Sequence, residues 1–394
     1  MKTELNIGLF GFGVVGEGLY HVLKNSRTVN ATIKKVCIKH PSKSRNVSEK
    51  FFTSNPDDII ADSSINLVVE LIDNADEAYS IVKSSLLSGK SVVSGNKKML
   101  AEHLSELIEI QKKHNVSLLY DASACGSIPV IRNLEEYYDN DLLKSITGIL
   151  NGSSNFILTK IFQEGGDYES ALKEAQDLGF AESNPAFDVE GYDSMFKLII
   201  ITLHAFGTLV KPEEIFNCGI PNLAPCDIQY AKEKGLKVKL VAQVTKLSDE
   251  LFTMFVMPRL VSPDEYIYSV ENEYNGVIIE GEYYEKQFMF GKGAGAFPTA
   301  SSVLSDITAR AHSYKYEYKK HTLFTPPTYT TNTDVKIYLR YKDSLSFSHF
   351  EFENITEKYS SKEYSYVIGT IKLSSLLKIK YLLPKLDVFI ATIA

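Results

Sequence analysis

The chain has 394 residues, 44% hydrophobic and 23% charged, with a formal net charge of −7. Such proportions belong to a globular protein with core enough for two or three domains. They argue against a nucleic-acid partner held by bulk electrostatics, and no apolar run reaches the ~18 residues needed to span a membrane. Cys37, Cys125, Cys218 and Cys226 form no CxxC pair and share no histidine spacing that suggests zinc. Free thiols in a reducing cytoplasm are the expectation. The opening MKTELNIGLFGFG lacks a cleavable-signal pattern, because its apolar stretch is short and broken by glycines.

LNIGLF reads as a short strand, GFGVVG as a turn, and VVGEGLYHVLKN as a helix. Gly11, Gly13 and Gly16 therefore fall on a strand-to-helix turn. There they allow a tight turn, a close approach of backbone to a pyrophosphate, and packing of helix on strand. The helix N-terminus would hold the phosphates with its free N–H groups. The second strand is ATIKKVCIK, residues 31–39, and a chain that binds NAD usually ends this strand on an acid. Here it ends on Lys39 and His40, followed by PSKSR. Lys43 and Arg45 could meet a 2′-phosphate, which tilts the choice to NADP over NAD; the alternative is a solvated basic turn.

INLVVELI (65–72) reads as a buried parallel strand and DEAYSIVKSSLLSG as its crossover helix. KSVVSGN (90–96), the helix AEHLSELIEIQKKHN and the strand VSLLYDAS follow. Alternating strands and helices over 1–135 specify an α/β fold with a doubly wound parallel sheet. Ligands of such sheets bind beyond the carboxyl ends of the strands, where Asn96, Lys97 and Asp121 fall.

From Ser145 the texture changes. SITGILNGSSNFILTKIFQEGG reads as strand, polar turn and helix, and YESALKEAQDLG as another helix. GFAESNPAFDVEGYDSMFK (179–197) then crowds Glu182, Asp188, Glu190 and Asp193 before Lys197, and LIIITLHAF continues as a buried helix. Asp193 and Lys197 lie four residues apart on one helix face. They could serve as a proton-transfer device, or be an ordinary exposed ion pair worth ~0.3–0.5 kcal/mol. Beyond Gly207 the chain becomes strand-rich and predicts a second sheet carrying the substrate site. GKGAGAFPTA (291–300) is a glycine turn placed to close back over a bound cofactor, with the helix SSVLSDITARAHSYKYE after it.

Together these stretches resemble one family, homoserine dehydrogenase, over about residues 5–312. GFGVVGEG is similar to its fingerprint, NLVVELI and GKSVVSGNKKMLAEH to a second block, and DASACGSIPVIRNL to a third. GILNGSSNFILTKI, GFAESNPAFDVEGYDSMFK and GKGAGAFPTASSVLSDI follow in the family's order. The resemblance implies NAD(P)-dependent interconversion of L-aspartate 4-semialdehyde and L-homoserine. It implies Lys197 as proton donor and Lys97 as a second lysine near the reacting centre. Glu182 and Asp193 would hold the substrate's amino-acid end and position its hydroxyl, with Asp188 in support. Phe12, Val14, Val15, Gly179 and Gly295 correspond to cofactor contacts. Asp121, with the carbonyls of Ala124, Gly126 and Ile128, matches a sodium site. A cytoplasmic homodimer is the family's habit.

Departures from the pattern are Asp121 where Glu is usual, Asn184 where an acid stands, and Asp73–Asn74 in place of two glycines. The expected division is a Rossmann-type nucleotide domain over 1–140, closed by 296–320, and an α+β substrate and dimerisation domain over 141–320. A short ACT-like or structural segment fills 330–394. A related oxidoreductase acting on another amino-acid aldehyde, and a non-catalytic nucleotide sensor, are the competing readings. Intact Lys97, Asp193 and Lys197 argue against the sensor.

Overall fold

The computed structural model describes residues 4–40, 45, 47–181 and 183–393. The chain divides into two compact units, one of residues 1–139 and 292–319 and the other of residues 140–291 and 320–394.

The first unit is built on a six-stranded sheet. Its strands are β1 (Leu5–Phe10), β2 (Ala31–Cys37), β3 (Phe52–Thr53), β4 (Leu67–Glu70), β5 (Ser91–Ser94) and β6 (Leu118–Leu119). Their spatial order is β3-β2-β1-β4-β5-β6 and every pairing is parallel. That is the strand order of the dinucleotide-binding fold, with its switch point between β1 and β4. β4 and β5 are buried at every position, as befits parallel strands covered on both faces. Asn74 and Asn96 start the two crossover helices Ala75–Leu87 and Lys97–His114 by accepting the N–H of Glu77 and Met99. VSLLYDAS, expected as a strand, keeps only Leu118–Leu119. Its second half turns into the helical segment Ala122–Cys125, which ends on Gly126 at φ +56°.

The glycine turn is sterically specified. Gly11 has φ +91°, and a Cβ placed there would lie 2.4 Å from the Leu71 carbonyl oxygen. Gly11→Ala should therefore add ~1–3 kcal/mol of backbone strain to a direct clash. We expect it to abolish tight binding of a dinucleotide at this turn, measured by titration of the full chain. Wild-type affinity in that variant would contradict this account of the turn.

Residues 292–319 return to this unit as the helix Ala296–Ala311. Asp306 accepts the Asp121 N–H at 2.9 Å, and Arg310 Nε donates to the Ser91 hydroxyl at 2.8 Å.

The second unit carries an eleven-stranded sheet. Its strands are β7 (Leu143–Ile149), β8 (Phe216–Asn217), β9 (Lys237–Lys246), β10 (Leu251–Val261), β11 (Tyr274–Gly281), β12 (Glu285–Lys292), β13 (Thr328–Tyr329), β14 (Asp334–Tyr341), β15 (Phe352–Ser360), β16 (Ser365–Lys372) and β17 (Val388–Ile393). The main order is β12-β11-β7-β9-β10-β17-β14-β16-β15, and β8 and β13 also pair with β10. Helix Tyr192–Phe206 is buried from Asp193 to Phe206: its second half, LIIITLHAF, is mostly apolar, and its charged residues Asp193 and Lys197 pair with each other.

Four of these strands come from the C-terminal segment. β17 runs parallel to β10 and antiparallel to β14, which ties residues 334–393 into the sheet. Ile337, Leu339, Phe350 and Ile371 enter one core with Phe216, Phe255 and Met257, and Leu386 packs partly buried against it.

Candidate active site

The first unit holds a cleft of about 1160 Å³ at the carboxyl ends of β1, β2 and β4. Gly11, Phe12, Gly13, Val14 and Val15 line it. Helix Val14–Asn25 begins at Gly13 with no side-chain cap, so its first N–H groups are offered to a ligand phosphate. A Cβ on Gly13 would meet nothing within 4 Å, which leaves that face of the turn open. Phe12 packs edge-on against Phe52 at 5.3 Å, and the Arg45 guanidinium lies 5.2 Å above the Phe52 ring. Arg45 also donates to the His40 carbonyl at 3.1 Å. Lys39, at the end of the second strand, is spent on an exposed ion pair with Glu77 at 2.6 Å. Arg45 is thus the described cation set beside the glycine turn. Lys43 lies outside the described residues.

A buried network backs the cleft. Glu70 Oε1 accepts the Ile72 N–H at 2.7 Å and Oε2 accepts the Ser94 hydroxyl at 2.6 Å. Ser94 in turn accepts the Asn96 N–H, and Asn96 Nδ2 donates to the carbonyls of Ile72 and Asp73. Burial pushes the Glu70 carboxyl up to about 7. The network fixes the 71–74 loop that lines the cleft and the start of the helix whose first residue is Lys97. Sequence reasoning passed over Glu70 and Ser94, since both sit inside strands that read as plain core. Gly295 precedes helix Ala296–Ala311 at φ +122°, a conformation that favours glycine.

Asp121 is buried beside Asp306, and its Oδ1 accepts the Arg132 N–H at 3.1 Å. Arg132 answers Asp306 with an ion pair at 2.8 Å. Two buried carboxylates thus face one guanidinium, and the Asp306 carboxyl is raised by burial and then by Asp121. The Asp121 carboxylate and the carbonyls of Ala124, Gly126 and Ile128 offer oxygen donors only, and the Ile128 carbonyl already accepts the Val130 N–H at 2.8 Å. That chemistry fits a hard cation such as sodium.

In the second unit the four-residue spacing becomes a real contact. Lys197 Nζ lies 2.7 Å from Asp193 Oδ2 and donates to the Leu150 carbonyl at 2.7 Å. Asp193 is 2% exposed and Lys197 7% exposed, so the pair is buried and not a surface ion pair. Asn151 Nδ2 bridges Asp193 at 2.9 Å and Asp188 at 2.7 Å, while its Oδ1 caps helix Gly152–Glu164. Asn275 Nδ2 holds the Leu150 carbonyl from the other side at 3.0 Å. Gly191, at φ +84°, lets the chain enter helix Tyr192–Phe206. Gly179 closes the preceding helical segment at φ +75°. Asn184 is exposed and accepts the Ala186 N–H at 3.3 Å. Glu182 lies outside the described residues. The sequence reading missed Asn151, whose polar turn looked like an ordinary helix start.

The homoserine dehydrogenase family model matches residues 129–308, and the family's NAD-binding-domain model matches residues 11–121. Homoserine dehydrogenase of Bacillus subtilis is 35% identical over 314 residues, covering 77% of this chain and 72% of the relative. The chain belongs to the homoserine dehydrogenase family. The Helicobacter pylori enzyme is 36% identical over 78% of this chain and 74% of its own length. Among solved structures, a homoserine dehydrogenase from Thiobacillus denitrificans superposes with a TM-score of 0.85 at 27% identity, over 100% of this chain and 98% of the other. A hyperthermophilic archaeal homoserine dehydrogenase mutant in complex with NADPH gives a TM-score of 0.69 at 27% identity, over 80% of this chain and 100% of that one. The chain is a homoserine dehydrogenase by these matches, an oxidoreductase with a dinucleotide-binding domain for a nicotinamide cofactor.

Proposed function

We propose that this enzyme reduces L-aspartate 4-semialdehyde to L-homoserine with NADPH preferred over NADH, and that Lys197 delivers the proton. The buried Asp193–Lys197 pair carries this reading. An ammonium has three N–H donors. Asp193 and the Leu150 carbonyl take two of them, and the third is left for the substrate oxygen. When bound, the nicotinamide supplies the hydride that reaches the aldehyde carbon. Lys197 gives its proton to the oxygen as negative charge develops there, and Asp193 holds the lysine in place throughout. Asn151 fixes both Asp193 and Asp188, and Asp188 with Glu182 provides carboxylates for the substrate's ammonium. Lys97 is assigned to the reacting end, and Gly179 and Gly295 to the cofactor, on the family pattern.

Arg45 is assigned to the 2′-phosphate of NADP, supported by its place on the cleft wall. Arg45→Glu should weaken NADPH by roughly tenfold, the loss of one charge-assisted contact, and leave NADH nearly unchanged. Parallel titrations of the two cofactors check this; equal losses would contradict it. A sodium ion would be held by the Asp121 carboxylate and the carbonyls of Ala124, Gly126 and Ile128, where it would offset buried negative charge.

The reading includes a homodimer, expected from the family and tested by light scattering on the purified chain, and a cytoplasmic location. Among the described residues no helix is long and apolar enough to cross a membrane. The function itself is tested by following nicotinamide absorbance with L-homoserine and each oxidised cofactor. Turnover with NADP exceeding that with NAD is the expected result.

A further inference from the structure

A second cavity, of about 270 Å³, lies in the second unit between the lead-in to helix Tyr192–Phe206 and the C-terminal segment. It falls just below the ~300–1,000 Å³ of pockets that take drug-sized ligands. Pro221, Leu383, Pro384 and Ile390 give it an apolar wall. One cation faces that wall. Lys380 is only 6% exposed, and of its three N–H donors one is spent, on the Ile215 carbonyl at 2.7 Å. Glu213 acts on it electrostatically without an ion pair within 4 Å among the described residues, and its ammonium otherwise lies 5.7 Å from the centre of the Tyr381 ring. Burial pushes Lys380 down to about 8, as expected of a cation without an adequate counter-charge.

We propose that this cavity is an effector site for a small monocarboxylate with a compact apolar body, bound through Lys380. A buried ammonium short of acceptors favours a carboxylate, because the ion pair replaces a desolvated and unpaired charge. The apolar wall selects against homoserine and the aldehyde, whose side chains are polar, so the site is distinct from the substrate's. Its position supplies the coupling. Glu190 and Tyr192 line the cavity, and Asn217 Nδ2 donates to the Glu190 carbonyl at 3.0 Å. Asp193 is the next residue after Tyr192. A ligand that binds one placement of this lead-in more tightly than another would carry Asp193 with it, which is what an effect on rate requires.

Isothermal titration of the full chain with 4-methylpentanoate tests the site. Saturable binding is expected, with the initial rate of homoserine oxidation changing over the same concentration range. The amide 4-methylpentanamide keeps the apolar body and lacks the charge, and should bind at least about tenfold more weakly. Lys380→Met should lose carboxylate binding and the rate effect while keeping basal turnover. If that variant fails to fold, the comparison of acid with amide on the unaltered chain still decides. No binding, equal affinity for acid and amide, or binding without any change in rate would each overturn the proposal.

Discussion

Lys197→Met is expected to lower kcat by ~10²–10⁴-fold, the range general acid catalysis contributes, with the NADPH dissociation constant unchanged. The separation follows from the architecture, because the glycine turn and the Glu70 network lie in the first unit and Lys197 in the second. Methionine keeps most of the lysine's length, so the Asp193 pocket is not emptied. It does leave Asp193 buried without its cation, which costs up to ~3–5 kcal/mol when one partner of a buried pair is removed. The double variant Asp193→Asn with Lys197→Met removes that orphaned charge. It should recover stability in urea and stay as slow as the single variant. Recovery of turnover along with stability would mean that the single variant had merely been unfolding.

The largest stability effect should come from Arg340→Met. Arg340 is 4% exposed and makes four charge-assisted contacts: Asp227 at 3.2 Å, the Asp387 carboxylate at 2.6 Å and carbonyl at 3.3 Å, and the Asn222 carbonyl at 2.7 Å. Asp227, itself 1% exposed, also accepts the Tyr338 hydroxyl at 2.9 Å. Burial raises the Asp227 carboxyl and the neighbouring guanidinium lowers it, in that order of size. Removing Arg340 therefore strands a buried carboxylate, and ~3–5 kcal/mol of stability should go with it. Arg340 belongs to β14, in the C-terminal segment, whereas Asp227 lies before β9. The loss would show that the segment is bonded into the second unit. It should be measured as a lower urea midpoint at unchanged slope. An unaltered midpoint would show that the cluster contributes nothing to stability.

What the sequence reveals and what it hides divide along physical lines. The dinucleotide-binding sheet is legible because its rules are local: three glycines at fixed spacing, and apolar runs of strand length alternating with helices. Asp193 and Lys197 are legible as a pair because one helical turn brings them together. Their burial is harder to read, since it depends on a sheet built from strands up to residue 393. The Lys197 anchor, the Leu150 carbonyl, lies 47 residues away and is a backbone atom with no side-chain signature. Asn151 is hidden for a related reason: its helix-capping role accounts for its presence and conceals its grip on two carboxylates. β17 inserts beside β10 across more than a hundred residues, an adjacency that no periodicity announces. Buried cations such as Lys239 and Arg340 stand where strand alternation alone would suggest solvent. Each is made tolerable by partners distant in sequence.

The central claim is that Lys197 supplies the proton in the reduction of the aldehyde. Single-turnover oxidation of enzyme-bound NADPH by L-aspartate 4-semialdehyde tests it most directly, because this isolates chemistry from cofactor binding and product release. With Lys197→Ala, saturated with NADPH, the step should slow by ~10²–10⁴-fold. Added methylammonium, small enough to enter the vacated space and supply a proton, should restore part of the rate in proportion to its concentration. A Lys197→Ala enzyme that completes the turnover at the wild-type rate, with no response to methylammonium, would contradict the account.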